Sequence, residues 1–201
     1  MIEIEGFIDC SCVWAYVAFK HAARLSFSPE VTVRWRPVLV QEVFDKVNHA
    51  ARQALPPAKQ AYYQRDLAQW ADYLELPLAP DAKPAKDAAE CMLACVAADR
   101  LGALEAFASA AMSAAWAEGR DLADRQVLAD AWAKAGLPAV MFESSLAWPA
   151  TKAELVANTR ELMARGGFGV PTFFIGHDMY FGNDSLPLVE RAARMRLRLT
   201  A

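Results

Sequence analysis

Histidine is scarce in this chain. His21, His49 and His177 are the only three, and none stands at ligand spacing from another. Cysteine is nearly as sparse, with Cys10, Cys12, Cys91 and Cys95. Cys91 and Cys95 are four apart on an Ala-rich helical stretch and so share one face. Zinc needs about four ligands, so the pair reads as packing and no metal site is expected. An excess of positive charge is also missing, since the formal net charge is −3. Nucleic acid is therefore excluded as the main partner, because phosphate binding needs a basic surface. No charge-free apolar run reaches 18 residues, so no membrane span is expected. The first residues carry no basic segment followed by an apolar one with a small-residue cleavage site. Reduced thiols and a cytoplasmic location are the corresponding expectations.

What is present is a soluble globular composition, 55% apolar and 22% charged over 201 residues, enough for one large domain or two lobes. Ile2, Ile4, Phe7 and Ile8 form an apolar run of strand type, and Tyr16, Val17, Phe19 and Lys20 follow with helical spacing. Cys10-Ser11-Cys12 lies between them. A helix N-terminus has unpaired N–H donors and the positive end of the dipole. A thiol there can fall from a pKa of ~8.5 to roughly 3.5–7.5 and become a nucleophile near neutral pH. Cys10 and Cys12 are equally readable as small buried residues.

A second strand is expected over 31–37, ended by Pro37. Nothing from Gln41 to Arg165 has strand character. Helices are expected over 58–73, where Tyr62, Leu67, Trp70, Ala71 and Leu74 recur at helical steps, and over 85–101, 104–118, 122–135 and 149–164. Gly102, Gly119 and Gly136 fall where the middle three end. Residues 170–175 and 179–181, joined by Gly176-His177-Asp178, read as a hairpin. A last helix over 185–199 has Asp184 or Ser185 as its cap. The order is β-α-β, a helical insert, then α-β-β-α. We expect an α/β fold with residues 41–149 as an inserted all-helical domain between segments 1–40 and 150–201.

This order resembles the thioredoxin-like superfamily, with a thiol at the first helix start and Val170-Pro171-Thr172 opening the third strand. The helical insert is similar to that of the branch holding DsbA-like oxidoreductases, kappa-class glutathione transferases and 2-hydroxychromene-2-carboxylate isomerases. Several segments resemble the last two families: Val33 to Leu39, Lys59 to Ala71 with Leu76-Pro77-Leu78, and Ala115 to Leu122, which is similar to the motif A-x-W-x-E-G-x-D. The most specific are Gly166-Gly167-Phe168-Gly169-Val170-Pro171-Thr172-Phe173 and Tyr180-Phe181-Gly182-Asn183-Asp184-Ser185-Leu186. They resemble G-V-F-G-V-P-T-F and W-G-N-D-R-L.

The resemblance implies a thioredoxin-like fold and a glutathione cofactor. It implies a cis Pro171 with the Val170 backbone pairing to the glutathione cysteinyl amide, and Asn183 with Asp184 receiving the γ-glutamyl end. Read locally, Pro171 would be a trans strand-edge proline, since about 5–6% of X-Pro bonds are cis. Asp184 alone would read as a helix cap. The chain departs from the D-x-x-S-P-x-S-Y pattern of the isomerases and kappa transferases. Cys12 stands at the first serine, Val13 at the proline and Ala15 at the second serine. Against C-x-x-C, Cys12 stands at the attacking cysteine and Ala15 at the resolving one. Cys10 would pair with Cys12 only through a strained ring, with Cys10 extended.

The leading expectation is a glutathione-dependent isomerase or transferase for a small hydrophobic aromatic substrate, with Cys12 as the catalytic residue. Trp14, Trp35, Phe44 and Phe181 are candidate pocket walls, each also readable as core. A monothiol disulfide oxidoreductase using Cys12 and a non-catalytic glutathione-binding protein are the alternatives. A homodimer is left open by the resemblance, and neither heptad nor patch in the chain demonstrates one.

Overall fold

Apolar residues crowd the C-terminal half of the first strand, β1 (Ile2–Ile8), where Phe7 and Ile8 are fully buried. The computed structural model describes residues 1–25, 28–52, 55–85 and 87–200. Helix α1 (Val13–Ala22) carries the chain to β2 (Val31–Pro37), which runs parallel to β1 from Ile2↔Val31 to Ile8↔Pro37. β3 (Thr172–Ile175) is antiparallel to β1 on its other side, and β4 (Asp178–Phe181) is antiparallel to β3. The sheet order is β2-β1-β3-β4. Gly6 sits opposite Trp35 and Phe173, and a Cβ there would lie 2.6 Å from the Trp35 ring. That contact requires glycine.

Between β2 and β3 the described chain is helical: α2 (Val40–Val47), α3 (Pro57–Tyr73), α4 (Ala89–Arg100), α5 (Leu104–Trp116), α6 (Arg125–Lys134), α7 (Phe142–Leu146) and α8 (Pro149–Ala164). A final helix, α9 (Leu186–Thr200), packs on β1 and β3, while α8 packs on β2 and α4. The α/β fold expected from the element order is the fold observed. α4 is a well-enclosed helix. Cys91, Met92, Ala94, Cys95, Val96, Ala97 and Ala98 are all buried, because alanine lets neighbouring helices approach closely. Around it Trp132 stacks edge-on against Phe107 and Phe142.

Several boundaries differ from the sequence reading. α2 and α7 were not expected, although Val40, Val43, Phe44 and Val47 do follow a helical period. The helix expected from 85 begins at Ala89, and Lys86 lies outside the described residues. The one expected from 122 begins at Arg125, where the Asp124 carboxylate accepts from the Gln126 N–H. Along α3 the apolar stripe is covered at its C-terminal end, where Leu67 and Trp70 are half-buried and Ala71 and Leu74 buried, while Tyr62 is 52% exposed. Asp184 and Ser185 fall inside a 3-10 turn, Asn183–Ser185, that precedes α9 rather than capping it directly. Gly102 and Gly136 end their helices at φ of 72° and 76°, a region other residues rarely enter. Among the described residues no helix is long and apolar enough to cross a membrane.

Candidate active site around Cys12 and the Val170–Pro171 peptide

The chain leaves β1 in a tight turn that Asp9 organises. The Cys12 N–H donates to the Asp9 carbonyl at 3.0 Å. The Asp9 carboxylate accepts from the Ser11 N–H at 2.9 Å, the Ser11 hydroxyl at 2.7 Å and the Val40 N–H at 2.9 Å. One buried carboxylate therefore fixes both the turn before α1 and the start of α2. Its burial pushes its pKa up to about 6, opposed by those donors.

Cys12 occupies the residue before α1 and directs its Sγ to the Val170 carbonyl oxygen, 3.6 Å away. The Val170–Pro171 peptide is cis. The Cys12 thiol is pushed up to about 11, first by burial and further by the Asp9 charge, against the lowering effect of the Ala15 and Trp14 backbone N–H groups. The expectation of a lowered thiol pKa is therefore overturned. The helix-start donors are present, but desolvation of the charged form outweighs them. Near pH 7 Cys12 is a neutral S–H. Iodoacetamide labelling of Cys12 is thus expected to rise about tenfold per pH unit from pH 7 to 9.5 as the thiolate fraction grows. A plateau near pH 7 would show a lowered pKa instead.

Cys10 is in the turn, not extended, and is fully buried. Its sulfur lies 3.6 Å from that of Cys95. All four cysteines are free. The reading of Cys91 and Cys95 as a packing pair took no account of this third thiol. Trp116 on α5 donates its indole N–H to the Cys10 carbonyl at 2.9 Å.

The loop after β4 reaches the same corner, because the Gly182 N–H donates to the Pro171 carbonyl at 2.9 Å. Asp184 is exposed there. Asn183 is not. It is buried, its Oδ1 pairs with His21 Nδ1 at 2.9 Å, and its Nδ2 is enclosed without a partner. On the other flank, Phe44 and Phe181 border Gly169, where a Cβ would lie 3.7 Å and 3.3 Å from their rings. Phe168 stacks on Phe181 at 4.5 Å, and its carbonyl accepts from the Asn48 side chain. Phe168 and Phe181 are 37% and 42% exposed, so an open aromatic wall adjoins the cis peptide. Trp14 is half-buried at the second residue of α1. Trp35 does not join this wall. It packs on Phe19 and Phe173 and lines a separate cavity of about 470 Å³ with Val33 and Ser109. Sequence reasoning missed Asp9 as the organiser of the turn and Phe168 as part of the wall. Phe168 stood inside a quoted motif, whereas the partners of Asp9 become visible only once α2 is placed.

A family model described as a DSBA-like thioredoxin domain matches residues 3–194. Over 190 residues the chain is 26% identical to 2-hydroxychromene-2-carboxylate isomerase of Sphingobium xenophagum, covering 93% of this chain and 95% of that one. A solved 2-hydroxychromene-2-carboxylate isomerase superimposes with a TM-score of 0.83 at 23% identity, covering 99% of this chain and 98% of that one. The cytosolic disulfide reductase DsbM from Pseudomonas aeruginosa, solved with GSH, superimposes with a TM-score of 0.69 at 21% identity and full coverage of both chains.

Proposed function

The chain belongs to the DSBA-like thioredoxin domain family, and on that premise we propose that it is a cytoplasmic glutathione-dependent isomerase for a hydrophobic aromatic acid, of the 2-hydroxychromene-2-carboxylate isomerase type. The observation that carries this reading is the neutral Cys12 thiol facing the Val170 carbonyl across 3.6 Å, beside an aromatic wall. The names of the curated and solved relatives support it.

The donor set fits glutathione. The Val170 backbone would pair with its cysteinyl amide, and the exposed Asp184 carboxylate would meet its γ-glutamyl ammonium. Asn183 contributes by holding the turn through His21, since its amide is enclosed. When bound, glutathione would supply a thiolate for reversible addition to a conjugated carbon of the substrate, which would allow rotation about the former double bond. Cys12 stabilises that negative sulfur by donating its S–H, assisted by the N–H groups at the start of α1. Phe44, Phe168 and Phe181 exclude water from the substrate ring. The disulfide oxidoreductase alternative fits less well. It needs a ready thiolate and a resolving thiol, whereas Cys12 is held protonated and Ala15 occupies the resolving position.

The test is turnover of 2-hydroxychromene-2-carboxylate with and without glutathione, with intact-mass measurement of the protein. Isomerisation that requires glutathione, with Cys12 unmodified, is expected. Glutathione-independent turnover, or no isomerisation together with a stable glutathione adduct on Cys12, would overturn the reading.

A further inference from the structure

A second sulfur site lies behind the catalytic turn, and the proposed isomerase chemistry makes no use of it. Cys10 comes from the β1–α1 turn, and Cys91 and Cys95 come from one face of α4. All three are fully buried, and their Sγ atoms lie within 4.8 Å of one another, with Cys10 and Cys95 at 3.6 Å. A fourth sulfur stands at the edge of the group, since the Cys10 N–H donates to Met92 Sδ at 3.3 Å. No histidine or carboxylate belongs to the cluster.

We propose that Cys10, Cys91 and Cys95 form a buried binding site for one Cu(I) ion. A metal–thiolate bond of about 2.3 Å places the sulfurs of a three-coordinate site roughly 4 Å apart, which the observed separations already match. Thiolate and thioether donors select Cu(I), zinc and iron–sulfur clusters, and the last are held by four protein ligands. A structural zinc site takes four ligands, almost always Cys and His, and here the fourth sulfur is a thioether. Cu(I) is satisfied by two thiolates and a weaker third sulfur. Two of the three thiol protons leave for solvent on binding, the third cysteine keeps its proton and is the weaker neutral sulfur, and the site then carries a single negative charge. Enclosure keeps out water and oxygen, both of which destabilise Cu(I). Because Cys10 is two residues from Cys12, the ion would tie the catalytic turn to α4.

The test is anaerobic titration of the reduced, full-length protein against a Cu(I)–bicinchoninate complex. One equivalent of copper is expected to move to the protein, with new near-ultraviolet thiolate charge-transfer absorption and a raised Tm. Cys12→Ser should retain that equivalent, whereas Cys91→Ala and Cys95→Ala should each weaken binding at least 100-fold with unchanged near-ultraviolet circular dichroism. Should those variants misfold, copper K-edge absorption of the wild-type protein decides, with an all-sulfur shell expected. An empty titration, tighter retention of Zn(II) than Cu(I), loss of the equivalent in Cys12→Ser, or a nitrogen or oxygen shell would each overturn the proposal.

Discussion

Cys12→Ala is expected to lower kcat for glutathione-dependent isomerisation about 10²-fold, the usual effect of deleting one donor aimed at developing charge, while Cys12→Ser stays within about threefold of wild type. The reasoning is specific to the state of the sulfur. A thiol pushed up to about 11 by its surroundings acts as a hydrogen-bond donor, and a hydroxyl does that work equally well. Alanine cannot. A nucleophilic Cys12 predicts the reverse ordering for serine, because a hydroxyl at neutral pH does not attack a disulfide. The pair of variants therefore separates the two chemistries in one assay. Loss of isomerisation in Cys12→Ser, together with mixed-disulfide turnover by the wild type, would sink the donor role.

Glu5→Ala is expected to cost about 3 kcal/mol of stability, the low end for leaving charged partners unpaired away from water, because two part-buried guanidinium groups lose this carboxylate. For a chain of this length that corresponds to a fall in Tm of about 6–12 °C. Glu5 is 17% exposed and binds two guanidinium groups, Arg36 and Arg165, each at 2.6 Å. Arg36 also meets Glu161 and Asn158, and Arg165 donates to the Gly176 carbonyl and lies 3.8 Å over the Phe174 ring. One carboxylate thus links β1, β2, the end of α8 and the β3–β4 turn. Without it, Glu161, 41% exposed, is the one carboxylate among the described residues that faces both cations. Arg36, through its hydrogen bond, holds the Glu161 carboxyl below its ordinary value near 4.5. Its contribution is therefore complete above that pH and is lost on acidification through the lowered value. Urea unfolding checks the prediction, and a Glu5→Ala midpoint within about 1 kcal/mol of wild type would refute it.

The fold was largely legible in the chain because local chemistry dictates it. Alternating β-branched residues at 31–37, the glycines that close α4 and α6, and the Gly176-His177 hairpin turn each act over a few positions. Short helices were the exception. α2 has a helical period at Val40, Val43, Phe44 and Val47, yet it follows a proline and is only eight residues long. The site was legible only in part. Cys12, Val170 and Pro171 were picked out as residues, but the protonation of Cys12 was misjudged, since a helix start is local and burial is a tertiary property. Likewise Cys10 meets Cys95 across 85 positions, a separation no spacing rule reaches. Trp35 and Phe44 look alike in sequence as aromatic residues. Only the pairing of Trp35 with Gly6 sends the first into the interior.

The indole of Trp116 bears on which side of the turn before α1 can move. Its bond to the Cys10 carbonyl is enclosed on all sides, so parting α5 from the catalytic turn would strand a desolvated carbonyl. Breathing of the molecule at that seam is therefore rare. The half-exposed Phe168 and Phe181 beside Gly169 have solvent next to their rings, so local motion is easier on that side.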